Sequence, residues 1–325
     1  MLEPIPLAEI QAARGRIVGA AIRTTLVRLN VDDSPAEIYL KLENLQPIGS
    51  FKIRGATNAM ALAGADRLRS GVYTASAGNM AQGVAWNARR LGVPCTVIAP
   101  DHAPQTKLAA IERLGGTVIT VPFADWFQVL VTRQFPGVPG FFVHPVSDPP
   151  VIAGNGTIGL EILEDLPEVD TIVVPYGGGG LSSGIASAVK ALKPSVRVLA
   201  CEVETAAPLA PSLAAGAPQT VTYTPSFVDG IGSAGLLPEM WPLVSRLLDG
   251  SIVTSLTDVA AAIRLLAERN RVIAEGAGAT PVAAALSGKA GHGRIVCVVS
   301  GGNIDLGTLR GIIDDSEPAA AIPGT

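Results

Sequence analysis

Lys52 stands in the cassette Ser50-Phe51-Lys52-Ile53-Arg54-Gly55-Ala56, and far downstream lies the run Gly177-Gly178-Gly179-Gly180. A lysine amine forms an imine with a carbonyl cofactor once it has lost its proton, which partial burial and a nearby cation favour. Consecutive glycines between a β-like run and a helix leave backbone N–H groups free to converge on a phosphate. Together the two point to an enzyme that uses a phosphorylated aldehyde, whose ends need different partners. Each has a plainer alternative: a solvated surface lysine, and a tight turn that packs a strand closely against a helix. The glycine run is neither GxxxxGK[ST] nor a GxGxxG followed by an acidic ribose ligand, which turns the reading away from ATP and NAD. No lysine stands in that loop, which suits a single phosphate.

Two further elements carry polar groups at strand ends. Ser76-Ala77-Gly78-Asn79-Met80-Ala81-Gln82 offers hydroxyl, amide and backbone N–H groups, either as a helix cap or as a carboxylate pocket in which Asn79 reaches a cofactor hydroxyl. Ser300, ahead of Gly301-Gly302-Asn303, is either a turn residue or an uncharged hydrogen-bond partner for a ring nitrogen.

Positioning these groups requires an alternation of strands and helices. Apolar runs predict strands at 38–42, 72–75, 95–99 and 117–121, with helices at 57–65, 81–91 and 105–114 between them. After a turn-rich stretch at 144–150, helices are expected at 156–166 and 181–192 and strands at 171–174 and 196–201. Residues 206–225 read as irregular. A strand at 251–253, helices at 257–270 and 281–287 and a late strand at 295–300 follow. The βαβ rhythm implies an α/β protein of two domains with mainly parallel sheets flanked by helices. The expected division is a large cofactor-binding domain from 1–49 plus 150–325, and a small mobile substrate domain from 50–149.

Composition agrees. The 325 residues are 48% hydrophobic and 16% charged and include 36 glycines, a balance suited to sheets buried on both faces. Aromatics make up 4% and the formal charge is -4, which gives no reason to expect a nucleic-acid partner. Cys95, Cys201 and Cys297 are isolated in apolar runs and read as buried thiols. The three histidines are scattered, without HxxxH spacing. With neither a signal-peptide pattern nor an apolar run of membrane length, a cytoplasmic protein without membrane partners is expected.

The ordered set Ser50–Ala56, Ser76–Gln82, Gly177–Leu181 and Ser300–Asn303, with His144-Pro145, Gly154-Asn155-Gly156-Thr157, Glu161 and Asp229-Gly230, resembles the fold-type II (tryptophan synthase β-like) pyridoxal-phosphate enzymes. Within that family it resembles the threonine/serine dehydratase and serine racemase branch. The resemblance spans nearly the whole chain. It implies pyridoxal 5'-phosphate held by Lys52, which also takes the substrate α-proton, with Phe51 against the ring and Asn79 on the ring hydroxyl. It places Gly177, Gly178, Gly179, Gly180 and Leu181 around the phosphate and Ser300 at the pyridine nitrogen. Ser76, Ala77, Gly78, Asn79 and Met80 would face the substrate, a small 3-hydroxy amino acid such as threonine or serine. The implied reaction is an ammonia-lyase (dehydratase) reaction giving a 2-oxoacid, and the implied assembly is a homodimer.

Some residues depart from the family pattern. Ala77 replaces the serine that acts as the second base in the racemases, Met80 a histidine, and Asn155 a glutamine. Of a divalent-cation site, Glu202 matches the glutamate and Ala206 the carbonyl, but Pro208 occupies the aspartate position. The size and Met80 also resemble dehydratases of hydroxyectoine breakdown, which gives a rival substrate class. An amino-acid racemase, a β-replacement synthase and a non-catalytic ligand-binding protein complete the alternatives. No C-terminal regulatory domain is expected.

Overall fold

The run Ile295-Val296-Cys297-Val298-Val299 is apolar without alternation, as a strand buried on both faces must be. In the computed structural model, which describes residues 2–314, it lies near the centre of a six-stranded sheet. The N-terminal segment supplies helix α1 (Leu7–Arg16), β1 (Leu26–Arg28) and β2 (Glu37–Leu42). Next come α2 (Lys52–Leu68), β3 (Val72–Ala75), α3 (Asn79–Leu91), β4 (Cys95–Pro100), α4 (Gln105–Arg113), β5 (Thr117–Val121), α5 (Phe123–Thr132) and β6 (Phe141–Phe142). The chain continues through α6 (Pro149–Asp165), β7 (Thr171–Pro175), α7 (Gly180–Leu192), β8 (Arg197–Val203), α8 (Leu209–Ala215) and α9 (Trp241–Leu247). It closes with β9 (Ser251–Thr254), α10 (Leu256–Leu265), α11 (Gly276–Leu286), β10 (Arg294–Val299) and α12 (Leu306–Ile313).

This is a two-domain α/β architecture. The larger sheet runs β1-β2-β10-β7-β8-β9 and is parallel except for the β1–β2 pair. The smaller runs β5-β4-β3-β6 and is parallel throughout. Separate apolar clusters cover the two faces of the larger sheet, one with Val173, Cys297 and Val299 and the other with Ile172, Val174 and Val298. All three cysteines are buried, as their apolar settings imply. Among the described residues no helix is long and apolar enough to cross a membrane.

Glycines moved several expected boundaries. Helix α2 starts at Lys52, not at 57, and α6 at Pro149, not at 156. Glycine costs a helix about 1 kcal/mol per residue relative to alanine, but here its missing side chain lets α2 and α6 touch. A Cβ on Gly154 would stand 2.5 Å from the Arg54 carbonyl oxygen. Helix α11 likewise begins at Gly276, with Pro281 inside it, ahead of the expected 281. The stretch 206–225, read as irregular, contains α8. Helices α1, α5, α9 and α12 and strands β1 and β6 had no counterpart among the expected elements.

The helices α2 and α6 also share a buried ion network. The Arg54 guanidinium donates to Glu43 (Nε 2.8 Å, a terminal nitrogen 2.7 Å), to Glu161 (2.6 and 2.9 Å) and to Thr157 Oγ1 (3.0 Å). Lys41 Nζ pairs with Glu161 at 2.7 Å and donates to the Thr24 carbonyl at 2.7 Å. Burial alone would raise the Glu43 carboxyl, but the Arg54 charge and hydrogen bonds outweigh it and hold it below its ordinary value. Removing one partner from such a buried set leaves an uncompensated charge, at a cost of roughly 3–5 kcal/mol. Arg54→Ala is therefore expected to destabilise the protein by that order. A urea-unfolding midpoint equal to wild type would refute this.

Candidate active site

The chemistry-bearing motifs follow parallel strands at their C-terminal ends, where open α/β sheets leave a crevice. Lys52 follows β2, Ser76 follows β3, the glycine run follows β7, and Ser300 follows β10. One cavity of about 330 Å³ brings together Phe51, Lys52, residues 76–80, Gly177–Leu181 and Ser300, which is every residue assigned from sequence to the cofactor or substrate. Val146, Asp229, Gly230 and Glu275 also line it. Ser147 and Asn155 stand outside the lining: Ser147 bonds His144, and Asn155 reaches the Gly180 carbonyl at 3.3 Å.

The segment that carries Lys52 is fixed from the far end of the chain. Phe51 N–H donates to the Ser300 carbonyl at 3.0 Å and Gly302 N–H to that of Gly49 at 2.9 Å. Asn303 Nδ2 bonds both the Ile48 carbonyl and Asn79 Oδ1, each at 2.8 Å. With its oxygen so engaged, Asn79 turns Nδ2 to Glu275 Oε1 at 2.9 Å, and a second N–H remains on that nitrogen.

Lys52 Nζ donates to the Pro145 carbonyl at 2.8 Å and lies 5.3 Å from the centre of the Phe51 ring. Protein encloses the amine except on the cavity side. Desolvation lowers its pKa to about 8, against a pull upward from Glu275. Burial, reinforced by the Asp229 charge, raises Glu275 to about 7. His144 is driven the other way, to about 3, by burial and by the charges of Arg133 and Lys52. As a neutral ring its Nδ1 accepts from Val146 N–H (3.1 Å) and Ser147 N–H (2.9 Å), shaping the loop that presents the Pro145 carbonyl.

The opposite end of the cavity is built from backbone. Gly179 has φ 91°, a left-handed conformation suited to glycine, and α7 starts after it with no side-chain cap. Among the described residues nothing accepts from the N–H groups of Gly177 to Leu181. A Cβ would stand 2.6 Å from Val146 Cγ1 at Gly178, and 2.5 Å from the Val146 carbonyl oxygen at Gly180. An uncapped helix start with a fan of free amides is an anion site. Between the two ends lies Ser300, 2% exposed and uncharged.

Glu202 and Ala206 lie away from this cavity. Glu202 Oε1 accepts from Leu209 N–H (2.8 Å), and Oε2 from Ala210 N–H (2.9 Å) and the Ser251 hydroxyl (2.7 Å). Glu202 thus caps α8. Glu204 accepts from Leu256 N–H at 2.8 Å, at the start of α10. Pro208 adds no donor, and the described residues contain no cluster of three metal-ligating side chains. Glu202 is thus engaged by three hydrogen bonds, and Pro208 places no carboxylate beside it.

The chain belongs to the family of pyridoxal-phosphate dependent enzymes, which matches residues 17–301. Within it the chain falls in the threonine/serine dehydratase and racemase branch of fold-type II. It is 41% identical over 315 residues to an L-threonine ammonia-lyase of Thermotoga maritima, covering 95% of this chain and 78% of that protein. Among solved structures it is similar to maize serine racemase, with a TM-score of 0.87, 35% identity and 96% and 98% of the two chains covered. It is similar also to the processed form of threonine deaminase isoform 2 from Solanum lycopersicum, with a TM-score of 0.85, 31% identity and 95% and 86% covered. Pyridoxal 5'-phosphate is its cofactor. The residues present fit that group: a readily deprotonated amine at one end, free amides at the other and a neutral hydroxyl between.

Two outcomes follow from the charges. Only a neutral amine captures an aldehyde, so cofactor uptake by the apoprotein should rise with pH to half its maximum near 8, well below the 10.5 of an ordinary lysine. Glu275→Gln removes the negative charge that holds the proton on Lys52, so its midpoint should fall lower still. Uptake followed by absorbance across pH checks both, and a wild-type midpoint near 10 would contradict the assignment. A further outcome concerns Glu202: dialysis against EDTA should leave activity unchanged, whereas a loss restored by magnesium or calcium would show that a divalent cation serves the enzyme.

Proposed function

We propose that the protein is a dehydratase that removes water and then ammonia from a 3-hydroxy amino acid such as threonine or serine, giving a 2-oxoacid. The observation that carries this is the single cavity joining Lys52, the amides of Gly177–Leu181, the loop Ser76–Met80 and the uncharged Ser300. The bound cofactor supplies an electron sink for the charge left at Cα when its proton is removed.

The chain's own groups do the rest. The amides of Gly177 to Leu181 hold the phosphate, and Asn79 Nδ2 holds the ring hydroxyl with its remaining N–H. Ser300 offers the ring nitrogen a hydroxyl and no charge, which moderates the sink and suits rapid elimination. Ser76 and the loop amides at the uncapped start of α3 grip the substrate carboxylate. Lys52 Nζ, neutral near pH 8, takes the Cα proton. The Cβ–O bond then breaks and the hydroxyl leaves as water with the proton that Lys52 took from Cα, so Lys52 is neutral again. The released enamine tautomerises to an imine, which water hydrolyses to the 2-oxoacid and ammonia. In this reading residues 50–149 form the substrate-side domain, and 1–49 with 150–325 the cofactor-side domain, of which residues 1 and 315–325 lie outside the described residues.

Similarity to a serine racemase raises a second reading. Ala77 argues against it, because a methyl group in the cavity wall can neither give nor take a proton. Purified protein offered L-threonine, L-serine, both 3-hydroxyaspartate diastereomers and hydroxyectoine-derived amino acids should release ammonia and 2-oxoacid from at least one. Lys52→Ala should lower that rate by about a thousandfold or more. Inversion of substrate without ammonia release would overturn the dehydratase reading, and turnover of the hydroxyectoine-derived compounds alone would assign the specialised substrate class.

A further inference from the structure

The two domains also meet at the mouth of the cavity, where no chain crosses. Lys107, on α4 beside the smaller sheet, is ion-paired with Asp229, in the loop between α8 and α9 beside the larger sheet. Both side chains line the cavity, and both are partly exposed, 28% for Lys107 and 50% for Asp229. The Asp229 loop is seated on the cofactor floor, because a Cβ on Gly230 would stand 2.9 Å from Ala277 Cβ and 3.5 Å from Glu275 Oε1. The pair is therefore tied on one side to the helix that begins beside Glu275. On the other side it is tied to α4, which packs against α3, the helix that begins within the Ser76–Met80 loop.

We propose that Lys107 and Asp229 are positioning residues that form a clasp, holding the smaller domain over the cavity and opening to pass substrate and product. Its exposure suits the task. A fully buried ion pair such as Arg54–Glu161 is dear to break, whereas a partly exposed one shifts an equilibrium only several-fold and is weakened by salt. A contact of that strength closes the cleft during the chemistry and yields at each turnover. Glu275 and Tyr223 are the titratable neighbours within the field of the pair. Asn79 also spans the domains, through its hydrogen bonds to Glu275 and Asn303, but Lys107–Asp229 joins them by an ion pair that salt weakens.

The inference rests on the reading of this cavity as the cofactor and substrate site, and not on which hydroxy amino acid is used. Its test is the rate at which hydroxylamine strips pyridoxal phosphate from the holoenzyme, followed by absorbance with no substrate present. Lys107→Ala and Asp229→Asn should each raise that rate about three- to fivefold, and 0.5 M KCl should raise it in wild type but not in the variants. The reversed pair, Lys107→Asp with Asp229→Lys, should return the rate toward wild type, which a loss of local packing would not do. Single variants that strip at the wild-type rate, or a reversed pair as fast as the singles, would overturn the clasp. Purified protein that holds no cofactor at the outset would overturn the site assignment instead.

Discussion

Two arginine–glutamate contacts and one lysine–glutamate contact, all out of reach of water, set the angle at which Lys52 enters the cleft. Arg54 and Lys41 face Glu43 and Glu161, so the buried set carries two charges of each sign. Arg54 sits two residues beyond Lys52 at the start of α2, and Glu161 sits on α6, the helix that brings the chain back from the smaller sheet. Both crossings between the domains are thus held by one network. Hydrophobic packing alone would leave α2 free to roll against α6, since apolar contact is not directional. A bidentate guanidinium grip fixes the roll, because its donors lie in one plane.

The same economy of direction governs the cofactor end. Strand β10 stops at Val299, and residues 300–303 bond back to residues 48–51, just ahead of Lys52. Ser300 and Lys52 therefore belong to one hydrogen-bonded unit, although about 250 residues separate them in the chain. Asn79 is drawn into that unit by Asn303, which fixes which end of its amide faces the cavity. The phosphate end needs no such side chains: free amides suffice where glycines let Val146 come close.

Much of this was legible in the sequence, for a definite reason. Lys52, Asn79, the four glycines and Ser300 each follow a strand of strong apolar character, so their places at strand ends could be read locally. Glu275 and His144 could not. Glu275 opens α11 amid alanines and glycines, and only the fold sets it 2.9 Å from Asn79. His144 was visible as part of a motif, but its work as a neutral acceptor depends on the loop folding back on its own ring. Helices α2, α6 and α11 begin ahead of their expected starts, at glycine-bearing stretches where close helix packing outweighs helix propensity. Helix α5 escaped notice because Phe123, Phe127 and Val131 remain exposed, so its apolar residues do not mark a single buried face.

The surroundings of the cavity favour the neutral amine of Lys52. Three titratable groups stand near the reacting end, and burial moves each toward its neutral form: Lys52 to about 8, Glu275 to about 7 and His144 to about 3. A protonated His144 would add a positive charge near Lys52, and its neutral ring avoids that. A fully ionised Glu275 would hold the proton on Lys52, and its raised pKa tempers that pull. The cavity thus obtains a readily deprotonated amine at near-neutral pH from desolvation, with the neighbouring carboxyl acting as a counterweight.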